Sequence, residues 1–312
     1  MKKAEEKLIN EKKEDILKFL YKQLQENKIT TFSDLQLFSN LKPDRLIKIV
    51  HILLREKKIK YDNENVKLTS EGIQKAEKII EKHRKIEKYL FENTSISIEE
   101  IHSIAEKEEH AETKIPEHQN SYECVDPHGD VIKGNSIPYK SLLSVIHCPE
   151  KIYKIIHIED EPKEIYAKIV KMDLAPFEYI KIIQLKDKSI DILTNKGQKL
   201  EIDIITANNI FIAEEKDENI EKLFEEIEKK ISQISTLDKL KIKEKAKIIG
   251  ISFYIRGEEK RRLLELGFVK NSIVEPLYNN MLGDDPRVYK IKNTMIALRK
   301  EQAQKIYVEK LV

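Results

Sequence analysis

Apolar residues recur at helical spacing in the first part of the chain and then give way to strict alternation. Residues 12–27 carry isoleucine and leucine three and four positions apart, which predicts an amphipathic helix. Residues 31–39 open with capping residues and predict a short helix. Pro43 is typical of a first helical position, so a third helix is expected over 44–56. Apolar and polar residues alternate over 58–69 around a polar turn, which predicts a two-stranded hairpin.

Three helices followed by a hairpin indicate a winged helix-turn-helix over residues 1–75. The third helix of such a unit enters the DNA major groove, and basic residues nearby neutralise phosphates. The candidate DNA-binding residues are Lys42, Pro43, Arg45, Lys48, Lys60 and Lys67. The third helix is otherwise apolar, so no operator sequence can be deduced. The alternative is that this unit binds protein and that its lysines are ordinary surface residues.

Histidine and glutamate occur at ligand spacing on the next two predicted helices. On the helix expected over 70–92, His83 and Glu87 are four residues apart, so they share one face. If residues 97–110 are also helical, one stripe of that helix carries His102, Glu106, Glu109 and His110. Carboxylates and imidazoles on adjacent turns suit a divalent first-row metal ion. The alternatives are a solvated acidic face and a histidine satisfied in the protein core.

The second half of the chain is strand-rich. Residues 149–215 predict a small barrel with strands at 152–158, 179–185, 189–194 and 199–205 and a helix at 163–172. Residues 216–239 are expected to form a charged helical linker. Residues 240–312 predict a second small barrel of strand, helix and further strands, and the two barrels form a weak internal repeat.

The region before the first barrel has fewer periodic signals. A loop is expected over 116–148, where Cys124, Asp126 and His128 could bind metal, although a Pro–Gly loop is the favoured interpretation. Residues 76–148 are expected to form one largely helical domain that carries these candidate metal ligands. The predicted fold class is α+β and multidomain.

Charge is distributed unevenly, although the formal net charge is only +2. Residues 1–75 carry 17 Lys and Arg against 12 Asp and Glu, while residues 76–148 carry 9 against 14. This fits an anion-binding module beside a cation-binding one, and chance variation between solvated surfaces is the alternative. The two cysteines make no disulfide framework. With no long apolar run and a polar N-terminus, we expect a cytoplasmic protein that does not bind membranes.

These features together resemble the diphtheria-toxin-repressor and manganese-transport-regulator family of metal-activated repressors over residues 10–213. The resemblance rests on four motifs: Thr69-Ser-Glu-Gly72, His83-Arg-Lys-Ile-Glu87, His102-x-x-x-Glu106-x-x-Glu109-His110, and the loop 126–132. Residues 240–312 are similar to the small SH3-like ferrous-iron-transport accessory protein. The motifs there are Arg262-Leu-Leu-Glu-Leu-Gly267, Gly283-Asp-Asp-Pro286 and Ala297-Leu-Arg299. The resemblance implies SH3-like folds for both barrels and a helical dimerisation and metal-binding domain over residues 76–148.

The resemblance also implies two metal sites. Its primary site falls on Asp15, Glu106, Glu109 and His110. Its ancillary site falls on His83, Glu87 and His102, with Glu161 and Glu164 as further ligands from the first barrel. Carboxylates at the first two primary positions are the manganese-type pattern, whereas the ancillary trio is the iron-type pattern. Hard oxygen ligands favour Mn²⁺ or Fe²⁺.

The expected function is therefore a repressor of metal-uptake genes that binds operator DNA as a metal-activated homodimer. Two alternatives remain at this stage. One is an accessory protein of a metal transporter, and the other is a metal-dependent hydrolase. The hydrolase is disfavoured because the sequence has no H-E-x-x-H motif, nucleophile elbow or glycine-rich phosphate loop. We expect no enzyme activity and no small organic substrate.

Overall fold

The computed structural model describes residues 2–62, 64–111, 125–133, 138–145, 150–279 and 285–311. Within these residues the chain forms two compact units. The N-terminal unit contains residues 2–88 and 102–111, and the C-terminal unit contains residues 89–101 and 125–311. Helices dominate the first unit and antiparallel sheets the second, which confirms the predicted α+β fold class.

The bounds of the elements follow the hydrophobic pattern closely. The helices are α1 (Lys2–Gln25), α2 (Phe32–Ser39), α3 (Pro43–Arg55), α4 (Ser70–Asn93), α5 (Ile98–Glu108), α6 (Lys163–Lys171), α7 (Ile204–Asn208), α8 (Glu218–Lys230), α9 (Gly257–Glu265) and α10 (Lys300–Ala303). The strands of the N-terminal unit are β1 (Ile59–Asp62) and β2 (Asn65–Leu68). The strands of the C-terminal unit are β3 (Lys140–Ser141), β4 (Ile152–Ile158), β5 (Tyr179–Leu185), β6 (Ser189–Thr194), β7 (Lys199–Asp203), β8 (Ile210–Glu214), β9 (Ile234–Thr236), β10 (Ala246–Ile251), β11 (Ile273–Asn279), β12 (Arg287–Ile291), β13 (Thr294–Leu298) and β14 (Ile306–Lys310). None of the described helices is long and apolar enough to cross a membrane.

Helices α1 to α3 and the β1–β2 hairpin enclose one apolar core. Thr31 caps α2 in a reciprocal capping box with Asp34. Pro43 opens α3, whose inward side chains Leu46 and Leu53 are fully buried. The predicted winged helix-turn-helix elements are therefore present, although α1 starts at Lys2, well before the expected position 12.

The turn from the hairpin into α4 requires a glycine. A Cβ atom on Gly72 would lie 1.9 Å from the carbonyl oxygen of Lys58, which no side chain tolerates. Thr69 accepts a hydrogen bond from the Gly72 amide and donates one to the Lys57 carbonyl. The Thr69–Gly72 motif thus fixes where α4 leaves the wing.

The two sheets of the C-terminal unit repeat one topology. The first has the strand order β3-β8-β4-β5-β6-β7, and the second has the equivalent order β9-β14-β10-β11-β12-β13. In each sheet, a helix follows the strand that comes second along the chain, and a short helix precedes the strand that comes last along the chain. A register shift occurs at the same place in both, at Ile155/His157 and at Ile248/Gly250. The internal repeat seen weakly in the sequence is therefore a repeat of architecture.

The segment predicted as a strand over 199–205 is only partly a strand. Strand β7 ends at Asp203, whose carboxylate accepts a hydrogen bond from the Thr206 amide and so caps α7. An aspartate at this position satisfies the first free amides of a helix, which makes the turn more stable than a longer strand. The prediction of a continuous strand was wrong at this point.

Helix α8 is not a free linker, contrary to the expectation for residues 216–239. Its apolar stripe buries Phe224 and Ile227 against Ile152 and Leu193 of the first sheet. The high charge of this segment hid its regular apolar face in the sequence. Because that face packs on the first sheet, α8 is part of the same hydrophobic core. The polar face remains exposed, as its composition requires.

A buried polar cluster joins the two sheets of the C-terminal unit. The Lys196 ammonium lies 2.6 Å from carboxylate oxygens of both Asp173 and Glu178. Tyr307 donates a hydrogen bond of 2.5 Å to Asp173. Because burial outweighs the attraction of Lys196, the pKa of Glu178 rises from 4.5 to about 7.

We predict that Glu178 makes the unfolding free energy fall as the pH rises from 4.5 to about 7. Its folded-state pKa is above its unfolded value, so the folded state binds the proton more tightly and loses that advantage on deprotonation. The shift corresponds to about 3 kcal/mol at most. Replacement by glutamine, Glu178→Gln, should flatten this part of the profile in chemical denaturation.

Glu150→Gln is the matched control, because Glu150 is an exposed carboxylate paired with Lys181. The control should keep the wild-type slope. An unchanged slope in Glu178→Gln would show that this carboxyl does not titrate in the expected range.

Candidate metal centre

Three elements of the N-terminal unit bring acidic, basic and imidazole groups together. Helix α1 carries Glu14, Asp15 and Lys18, and helix α4 carries His83 and Glu87. Helix α5 carries His102 and Glu106 and ends at Glu108, so Glu109 and His110 lie in the turn that follows it. The amide of Glu109 still donates to the Ala105 carbonyl, which keeps this turn in line with the helix.

The Asp15 cluster consists of Asp15, Glu109 and His110, whose candidate ligand atoms all lie within 4.8 Å of one another. His110 Nε2 is 3.1 Å from Asp15 Oδ1 and 3.5 Å from Glu109 Oε1. Nδ1 of the same ring is 2.8 Å from Glu14 Oε2. A metal ion bound through Nε2 would therefore meet an imidazole whose orientation is fixed by Glu14.

The His83 cluster consists of His83, Glu87 and His102. Glu87 Oε1 lies 3.0 Å from His83 Nε2 and 2.9 Å from His102 Nδ1, and these two nitrogens are 3.3 Å apart. Ligand atoms bound about 2.1 Å from one metal ion are about 3.0–3.4 Å apart. The three atoms thus already have the mutual spacing that a single ion requires.

The buried carboxylate of Glu109 connects the two clusters. Its side chain is fully buried, and Oε2 accepts a hydrogen bond of 2.5 Å from His83 Nδ1. The Lys18 ammonium lies 2.8 Å from both carboxylate oxygens. His83 could therefore bind a metal through Nε2 while its Nδ1–H holds Glu109, which is the usual arrangement for orienting a histidine ligand.

Electrostatic attraction holds the side chains of both clusters together. Burial alone would lower the pKa of His110, but hydrogen bonds to Asp15 and Glu14 outweigh it and raise the pKa to about 9. His83 behaves similarly, since burial is outweighed by its bonds to Glu109 and Glu87 and its pKa is raised. Although burial raises the pKa of Asp15, its bonds to His110 and Lys12 dominate and lower it. Any metal ion must displace protons here, because ligating imidazoles are neutral.

Three further residues expected as ligands belong to neither cluster. Glu106 is outside the Asp15 cluster: its half-exposed side chain points to His102 Nε2, 3.6 Å away. The hydrogen bond from His102 lowers the pKa of Glu106. Glu161 and Glu164 belong to the C-terminal unit, where both are exposed, and Glu164 lies in the first turn of α6. Their roles as ligands stay predictions, and Cys124 lies outside the described residues.

Glu14 is a functional candidate that the sequence motifs did not single out. It contacts His110 Nδ1 and also accepts a bond of 2.6 Å from Lys75 of α4. The only signal in the sequence was its position beside Asp15. Hydrogen bonds from His110 and Lys75 overcome the effect of burial and lower the Glu14 pKa.

The predicted DNA-binding residues lie on one helix start and on the wing. All six are exposed: Lys42, Pro43, Arg45, Lys48, Lys60 and Lys67. Lys60 and Lys67 are directly opposite each other across the hairpin, and Lys67 is paired with Asp62 at 2.5 Å. Four apolar side chains of α3 are buried, and its exposed positions include Arg45, Lys48 and Arg55 beside acidic and apolar ones.

Two family profiles match separate parts of the chain. The profile described as "Iron dependent repressor, metal binding and dimerisation domain" matches residues 69–133. The profile described as "FeoA domain" matches residues 235–310. No curated protein matches the sequence of this chain.

Solved structures share the fold of about two thirds of the chain. A manganese-dependent transcriptional repressor in complex with manganese has a TM-score of 0.56 at 18% identity, covering 65% of this chain and 99% of its own. ScaR with bound Cd²⁺ has a TM-score of 0.51 at 22% identity, covering 64% of this chain and 98% of its own. IdeR from T. acidophilum has a TM-score of 0.50 at 22% identity, with coverage of 65% and 97%.

The FeoA profile falls on the second sheet of the C-terminal unit, and the repressor profile covers α4, α5 and most of both clusters. The chain is therefore similar to iron-dependent repressors over residues 69–133 and to FeoA domains over residues 235–310.

Proposed function

We propose that the protein is a metal-dependent transcriptional repressor, activated by Mn²⁺ or Fe²⁺, that binds operator DNA as a homodimer and controls metal uptake. The observation that carries the proposal is the Asp15 cluster. Asp15 lies on the first helix of the winged helix-turn-helix, whereas Glu109 and His110 follow α5. One metal ion held by all three would tie the DNA-binding helices to the metal-binding domain.

Such a link between α1 and the metal-binding domain would restrict where α3 can lie. In a two-fold dimer the two copies of α3 must be about 34 Å apart to enter successive major grooves. A metal ion that binds the competent arrangement better shifts the population towards it. Asp15, Glu109 and His110 would hold the ion, while Glu14 orients the His110 ring.

The donor set supports Mn²⁺ or Fe²⁺. Both clusters offer carboxylate oxygens and imidazole nitrogens. Hard oxygen donors favour these ions over softer ones. The structural relatives include a manganese-dependent repressor and a protein crystallised with Cd²⁺, which is consistent with a site for divalent ions.

The second candidate is an accessory role at a metal transporter, favoured by the FeoA domain match over 235–310. In that case the winged helix would bind protein, and duplex DNA would not bind even at low salt. The exposed basic residues on α3 and the wing support DNA as the partner. The matched profiles are those of regulators and transport proteins, which favours a protein without enzyme activity.

Asp15→Ala should abolish the dependence of DNA binding on Mn²⁺. Without this ligand the ion no longer holds α1, so the shift in DNA affinity on adding Mn²⁺ should fall by about tenfold or more. Fluorescence anisotropy with duplex DNA, at fixed salt and increasing Mn²⁺, measures this directly.

Glu11→Ala is the control for that experiment. Glu11 lies one turn earlier on α1, is paired with Lys7, and is not among the clustered candidate ligands. It should behave as the wild type. A metal response in Asp15→Ala equal to that of the wild type would contradict the proposed tie.

Glu87→Gln should reduce the number of bound ions. We expect two Mn²⁺ ions per protomer in the wild type and one in the variant, because Glu87 Oε1 contacts both histidines of its cluster. Equilibrium dialysis with elemental analysis gives the count, and an unchanged count would exclude the His83 cluster as a site.

The pair of substitutions Arg45→Ala and Lys48→Ala should weaken DNA binding without changing Mn²⁺ affinity. If each side chain neutralises one phosphate, the slope of log K against log salt should become shallower by about one per residue. Lys7→Ala, which removes an exposed lysine from α1, serves as the control. An unchanged slope in the double variant would place the DNA on another surface.

A further inference from the structure

We propose that Lys18 is an internal cation that competes with the metal ion for Glu109 and so sets the metal concentration at which the protein is activated. This inference rests on the proposed function and names the regulation of the same site. In this role Lys18 lowers the affinity of the site for the metal ion, whereas a ligand would raise it.

The position of Lys18 is unlike that of an ordinary surface lysine. Its ammonium is 2.8 Å from both Oε1 and Oε2 of Glu109, so it faces both of the atoms that a metal could use. The Lys18 side chain is only 22% exposed and that of Glu109 is 0% exposed. Lys18 lies one helical turn after Asp15, so the cation and the candidate ligand project from the same face of α1.

Glu109 needs a positive neighbour in every state of the protein. A carboxylate taken out of water costs several kcal/mol unless a cation and hydrogen bonds compensate it. Lys18 and His83 supply this compensation in the structure. A divalent ion bound to Glu109 would supply it instead, and two cations within bonding distance of one carboxylate would repel each other.

Metal binding therefore has to displace the Lys18 ammonium from at least one oxygen of Glu109. The free energy of each Lys18–Glu109 contact that is lost is subtracted from that of metal binding. Lysine suits this role, since its ammonium is a compact point charge on a flexible stem that can swing away.

The test is a Mn²⁺ titration of the full chain by calorimetry, without DNA, in the Glu87→Gln background so that only the Asp15 cluster is observed. Lys18→Met should bind Mn²⁺ about tenfold or more tightly than the parent. The metal-free variant should also melt at a lower temperature, and Mn²⁺ should raise its melting temperature by more than it raises that of the parent.

Lys13→Met is the matched control. Lys13 lies on the same helix and pairs with Glu56 at 2.6 Å, so its loss removes the same charge away from the cluster. It should leave Mn²⁺ affinity unchanged. Equal or weaker Mn²⁺ binding in Lys18→Met would overturn the inference, while a wild-type protein that binds no Mn²⁺ would overturn the proposed function instead.

A measurement on the wild type covers the case in which Lys18→Met does not fold. Amine labelling with an N-hydroxysuccinimide ester, read by peptide mass spectrometry, reports how free each lysine is. Labelling of Lys18 should become faster when Mn²⁺ is added, while labelling of Lys13 stays constant. A Lys18 labelling rate that is unchanged or slower with Mn²⁺ would overturn the inference.

Discussion

The buried carboxylate of Glu109 is the group on which the N-terminal unit depends. It is fully buried and contacts Lys18 from α1 and His83 from α4, so three separate elements meet at one negative charge. Removing such a carboxylate from water is costly, and cations together with hydrogen bonds offset that cost. In the proposed mechanism either Lys18 or a divalent ion meets this requirement, and the exchange between them changes how α1 is held.

Much of the fold was predictable because its signals are local. Pro43, the Thr31 cap and the alternation around the wing each act within a few residues, and the structure confirms those elements. The sequence predictions were wrong where the overall composition of a segment hid the local feature that determines its structure. Asp203 caps a helix that interrupts an alternating run, and the charged face of α8 concealed the apolar stripe that buries Phe224.

The candidate site was predictable only in part, since its geometry depends on packing between distant helices. Helical spacing placed His83 beside Glu87, and the structure brings both next to His102. Spacing also grouped Glu106 with Glu109, but α5 ends before Glu109, and Glu106 turns to His102. The contact between Glu14 and His110 spans 96 positions, and nothing within α1 alone indicates it. The equivalent topologies of the two C-terminal sheets likewise became clear only from their strand order.

The most direct test of the shared metal site is an anomalous difference map from crystals of the full chain grown with Mn²⁺. A single peak is expected within about 2.2 Å of a carboxylate oxygen of Asp15, an oxygen of Glu109 and Nε2 of His110. The Lys18 ammonium should have moved away from that peak. A manganese ion bound without Asp15, or the absence of a peak between these three residues, would contradict a metal tie between α1 and the turn after α5.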